Sequence, residues 1–89
     1  MPRFSGMDLE EIERLSKTLH VESGRIEREA NAMTATLENL PWVGNDQKRF
    51  LEVWRSRHLP ALMNAAKGFE TASREAHQHV RRQQGASSR

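Results

Sequence analysis

The sequence predicts an all-α protein: an antiparallel helix–turn–helix hairpin that dimerises into a four-helix bundle. Three observations carry this. An apolar seam with helical spacing is held for more than four heptads, a proline and a glycine punctuate the chain near its middle, and strand-like alternation is nowhere visible.

The first segment is read as a helix over about 8–40. Leu9, Ile12, Ser16, Leu19, Ser23, Ile26, Ala30, Met33, Leu37 and Leu40 advance by alternate steps of three and four. Ser16, Ser23 and Ala30 are small, so a facing helix can come close at mid-length. Asp8 with Glu11 fits a capping box, and the acids of the first turns suit the positive end of the helix dipole. Glu10–Arg14 and Glu13–Lys17 are ion pairs in the favourable order. Gly24 is an internal weak point. Pro41 ends the segment, because the residue before a proline is pushed out of helical space.

A tight turn over 41–45 follows. Gly44 supplies a positive φ, and Asn45 or Asp46 caps the next helix. The second helix is expected over about 46–82. Phe50, Leu51 and Trp54 form its first apolar face, and Leu62, Ala65, Phe69, Ala72, Ala76 and Val80 continue the seam. Pro60 lacks an amide hydrogen, so a kink or brief break is expected there. Residues 1–7 read as a flexible arm and 83–89, with Gly85, Ser87 and Ser88, as a disordered tail.

Composition explains why a partner is expected. The chain has 89 residues, 36% hydrophobic and 29% charged, and no cysteine. That is one domain at most, with neither disulfides nor thiolate metal sites to hold it. Two helices of this length span roughly 45–55 Å each. A lone hairpin of that length is a thin rod with much of its apolar stripe wet, and a second hairpin dries it. The net charge is +2, with acids and bases interleaved along the helices. Only Arg81, Arg82 and Arg89 stand unopposed, so no nucleic-acid partner is expected. No stretch approaches the length of a membrane span, and the start lacks the apolar run of a signal peptide. The ordinary rules then give a cytoplasmic location, unless the protein leaves by a route that reads folded proteins.

Leu40-Pro41-Trp42-Val43-Gly44-Asn45-Asp46, followed by Phe50, Trp54 and Pro60, places a Trp-x-Gly step between two long amphipathic helices. This resembles the WXG family of small ESAT-like proteins of type VII secretion, in its actinobacterial form, over about Leu9 to Gln84. The resemblance implies a homodimer, or a dimer with a paralogous WXG partner, and secretion without a cleaved signal peptide. It also implies a role as substrate or adaptor, with the secretion ATPase as a possible partner. Pro41, Trp42, Gly44, Asn45 and Asp46 would then shape the recognition end. Leu9, Ile12, Leu19, Ile26, Met33, Leu37, Phe50, Trp54, Leu62 and Phe69 would make the bundle. The family's Tyr-x-x-x-Asp/Glu export signal has no counterpart: there is no tyrosine, no acid follows Glu75, and Phe69 is followed four residues later by Ser73. Either the partner supplies the signal or the chain is not exported by that route.

Nothing in the sequence converges on catalysis. There is no glycine-rich phosphate loop, no cysteine nucleophile and no Glu-x-x-His pair of the di-iron bundles. His77 and His79 point to different faces of a helix, and Glu75 with His79 is a thin basis for a metal. His58 reads as a packed or solvated side chain near Pro60. The expectation is a non-enzymatic interaction module with no cofactor and no metal. An intracellular coiled-coil scaffold, or a helical protein associating weakly with nucleic acid through Arg81, Arg82 and Arg89, is the alternative.

Overall fold

The computed structural model describes residues 6–87, all of them in two long helical arms and the turn between them. The first arm is one helix, α1 (Gly6–Asn39). The second begins with α2 (Asp46–Val53), passes through a five-residue π turn (Trp54–His58), and continues as α3 (Leu59–Ser87). The arms lie antiparallel in a rod of 68 × 19 × 17 Å.

Pro60 follows the π turn and makes no break in the arm. The amide of Leu59 bonds back five residues to the carbonyl of Trp54, and the widened turn absorbs a proline that cannot donate in the regular pattern. The expected kink or break is therefore a bulge within a continuous arm. Helix boundaries also differ from expectation. Gly6 and Met7 are already helical, so Asp8 lies inside the first turn rather than at its cap, where its charge still faces the dipole. The helix continues past residue 82 to Ser87, so residues 83–87 are not a disordered tail. The rest of the expected arm and tail, 1–5 and 88–89, lies outside the described residues.

The contact between the arms is thin and made of small side chains. α1 buries Ser16, Ser23, Ala30 and Leu37, seven residues apart, and α3 buries Ala66, Ser73 and Val80 at the same interval. Serines lock the register. Ser16 Oγ donates to the carbonyl of Ser73 at 2.9 Å, and Ser73 Oγ donates to the carbonyl of Ser16 at 2.6 Å. Ser23 Oγ donates to the carbonyl of Ala66 at 2.7 Å. A hydroxyl reaches a backbone carbonyl of another helix only when the axes are close, which is why every residue in this layer but Leu37 and Val80 is small.

The seam read from the sequence thus splits. In α1, Leu9, Ile12, Leu19 and Ile26 are half-buried flanks of the layer, while Met33 and, just past the helix, Leu40 are exposed. In α3 the hairpin layer runs through Ala66 and Ser73 instead of the expected Leu62, Ala65 and Phe69. Leu62 is 37% and Phe69 38% exposed. The close approach of the small residues pushes the larger ones aside, and among the expected α3 seam only Val80 is in the layer.

Candidate interaction site: one apolar side and the turn

The cross-hairpin contacts define two unlike sides. At 100° per residue, positions four before and three after Ser16 (Ile12, Leu19) lie on one side of it, and Glu13 and His20 on the other. Around Ser73 the same geometry puts Phe69 and Ala76 on one side, Glu70 and His77 on the other. The observed contacts match the charged members. His77 Nδ1 lies 3.0 Å from the Glu13 carboxylate, and His20 Nδ1 lies 2.7 Å from that of Glu70. Glu13, expected beside Lys17, instead reaches across the hairpin. One side is therefore polar, with Lys17, Glu27, Lys67 and Arg74 beside these two rungs.

The other side must then carry Ile12, Leu19, Ile26 and Met33 from α1 beside Leu62, Ala65, Phe69, Ala72 and Ala76 from α3. A shallow depression on it is lined by Ile26, Ala30, Met33, Trp54 and Leu62. Leu15, also exposed, extends the patch at its edge. At the rim, Arg25 is clasped between Glu22, at 2.6 Å, and Glu29, at 2.7 Å. Hydrogen bonds from Arg25 hold the Glu22 carboxyl below the usual carboxylate range, and those two acids raise Arg25 in turn.

The turn is built by side chains closing the end of α1. Trp42 Nε1 donates to the carbonyl of Leu37 at 2.9 Å. Gln47 Nε2 donates to the carbonyl of Glu38 at 2.9 Å and, more weakly, to that of Leu37 at 3.3 Å. The last carbonyls of a helix lack intrahelical partners, so these two side chains do the work of a C-cap. Gly44 has φ +64°, and Asn45 takes the N-cap position of α2 without a capping hydrogen bond from its side chain. Asp46 pairs loosely with Arg49, and an Arg55–Glu38 ion pair ties the second arm back to α1. Trp42 is half-buried, its ring 5.5 Å from that of Phe50. Pro41 is exposed, and Val43 at the tip is 83% exposed, with Leu40, Phe50 and Val53 also largely in solvent.

Among the expected bundle residues, Phe50 is thus part of the turn surface and not of the core. Trp54 is half-buried, and its Nε1 donates to Thr34 Oγ1 at 2.8 Å, a cross-arm bond that the sequence reading missed. Gln47, Thr34, Glu70 and Ser73 were missed likewise. Ser73 and Ala66 had a signal: small residues seven apart, matching Ser16 and Ser23. Gln47 had none. Of the histidines, His58 is exposed, its ring 6.2 Å from Trp54, and His79 is half-buried.

Among the described residues no three of His, Cys, Asp and Glu come together as a metal site. The Ser16 and Ser73 hydroxyls, which sit near the two His–Glu rungs, donate to backbone carbonyls. Among the described residues no helix is long and apolar enough to cross a membrane. Fold and surface together define a class: a two-armed helical hairpin, apolar along one side and at its tip. In comparisons with known proteins, no family model, curated protein or solved structure matches the chain.

Proposed function

We propose that this chain is a non-enzymatic protein-interaction module, a WXG-like substrate or adaptor of type VII secretion that works as a dimer. The observation that carries the reading is the uncovered apolar side, where Ile12, Leu19, Ile26, Met33, Leu62 and Phe69 line up beside a hairpin core of small residues. A rod this thin has little interior of its own, and covering that side gives it one. The Trp42–Gly44 turn supports the family resemblance. Its indole caps the first helix while Val43 and Phe50 offer apolar surface at the tip, a shape suited to recognition by a second protein.

The test is the solution mass by light scattering, with circular dichroism alongside. The wild-type chain is expected as a helical species at twice its 10.3 kDa mass. Leu19→Asp and Ile26→Asp place an unpaired charge in the covered side and are expected to give monomers of reduced helicity. A wild-type dimer whose mass and helicity survive both substitutions would remove this face from the assembly. For export, the protein should appear in culture supernatant with its start intact.

A further inference from the structure

With no cysteine in the chain, its thioether sulfurs are the groups that a peroxide oxidises first. There are four methionines, and for two of them, Met33 and Met63, the structure describes the side chain. Met63 is three residues before Ala66, which by the same helical geometry puts it on the polar side, and it is half-buried. Met33 is three residues after Ala30, on the apolar side, and is 49% exposed. It stands with Ile26, Ala30, Trp54 and Leu62 around the shallow depression there. The other members of its row, Ile12, Leu19 and Ile26, are branched hydrocarbons that a peroxide leaves alone. Met33 thus puts a soft, adaptable and reactive side chain into the surface that a partner covers.

Resting on the dimeric reading above, we propose that Met33 is a modification site. Hydrogen peroxide oxidises its sulfur in the free chain, and the sulfoxide keeps a second copy from covering the apolar side. A sulfur lone pair attacks one peroxide oxygen, and the S–O bond forms as the O–O bond breaks. The other oxygen leaves as water with both hydrogens; sulfur gives up two electrons and the peroxide takes them. The product carries a strong S=O dipole that needs a hydrogen-bond donor once water is excluded. Donors around the depression are already engaged. Trp54 Nε1 donates to Thr34 Oγ1 at 2.8 Å, and Arg25 is clasped between Glu22 and Glu29. Ile26, Ala30 and Leu62 offer no side-chain donor at all. The converse follows from linkage: a partner that covers Met33 shields it, so oxidation acts on unpartnered chains and keeps them unpartnered.

Hydrogen peroxide on the whole chain, followed by peptide mass spectrometry and light scattering, tests this. Oxidation of Met33 is expected to slow as chain concentration rises through the dimer's dissociation range, while that of Met63 keeps its rate. A rate at Met33 that ignores concentration would place it outside the covered surface and overturn the proposal. Chain oxidised at Met33 should associate about tenfold more weakly, and methionine sulfoxide reductase should restore it. Met33→Leu keeps the apolar bulk without the sulfur, so its dimer should survive the same treatment. Oxidised chain that dimerises as well as untreated chain would overturn the proposal and leave the dimer intact. Equal loss of the Met33→Leu dimer would also overturn it, by assigning the effect to another methionine. A mass of one chain before any peroxide is added would instead sink the dimeric reading, and the proposal with it.

Discussion

Ser16 does two things that substitution can separate. Its hydroxyl donates to the Ser73 carbonyl at 2.9 Å, and its small size lets the two helices approach within reach of that bond. Ser16→Ala removes the first and keeps the second. The reciprocal bond from Ser73 survives, because its acceptor is the backbone carbonyl at position 16. No buried donor is stranded, and in an opened hairpin serine falls back on its own helix's carbonyls. The expected loss is therefore about 1 kcal/mol. Ser16→Leu tests size. Ser73 Oγ lies 3.3 Å from Ser16 Oγ, so a leucine's branched end has no space unless the arms part. Overpacking added to the lost hydrogen bond comes to about 2–4 kcal/mol. Simple apolar burial argues the opposite, a gain of roughly 1.5–3 kcal/mol for a leucine at a buried site. Urea unfolding followed by circular dichroism decides between them, at one fixed chain concentration, since association adds a concentration-dependent term. Ser16→Leu as stable as the wild type would refute the close-packing argument. A loss above about 3 kcal/mol for Ser16→Ala would show that more than one hydrogen bond hangs on the hydroxyl.

Two further substitutions probe the turn and the rim. Gly44→Ala meets no neighbouring atom within 4 Å, so its cost is backbone strain at φ +64° alone, about 1–2 kcal/mol, read as a lowered melting temperature. An unchanged melting point would mean that the turn relaxes out of the left-handed region. Glu22, held low by Arg25, contributes stability above its unfolded value near about 4.3 and loses that contribution as pH falls through its lower folded value. Arg25→Met should return the Glu22 midpoint, followed by carboxyl NMR shifts, to the ordinary range, and a midpoint that stays low would assign the shift to another cause.

Period and punctuation were legible in the sequence; lateral position was not. The alternation of three and four from Leu9 to Leu40 gave a helix, and Pro41 with Gly44 gave its end. A stripe of that width, however, spans both the hairpin contact and the surface beside it, and one-dimensional spacing does not say which edge meets the other arm. Size decides, through the close approach at Ser16, Ser23, Ala66 and Ser73, so Leu62 and Phe69, read from the sequence as part of one undivided seam, lie beside the hairpin layer and not in it. Phe50 does share the helical face of Trp54, whose amide bonds back to the Phe50 carbonyl, but it lies one turn nearer the chain reversal and meets the Trp42 ring there. The helix past residue 82 was missed because glycine and serine read locally as a tail. Charge misled in a similar way: acids and bases alternate within each turn of α1, which hides that acids outnumber bases two to one along the whole arm.

Sidedness also bears on why the proposed assembly stops at two. A hairpin apolar on both flanks could stack on either, and stacking without closure produces fibres. Here the flank opposite the apolar side is occupied by the Glu13–His77 and His20–Glu70 rungs, with charged lysine and arginine neighbours. These pairs are exposed, and each adds little to stability in water. Their effect is on what the flank accepts, because a third hairpin laid there would strip water from charged groups without offering them matched partners. The same logic sets the order of importance among substitutions. Removing a rung, as in His77→Ala, changes the hairpin's own stability little, whereas replacing both Glu13 and His77 by leucine joins new apolar surface to the polar flank. That double variant should remain helical and associate beyond the dimer, and a species that stays at dimer mass would show that the rungs do not limit assembly.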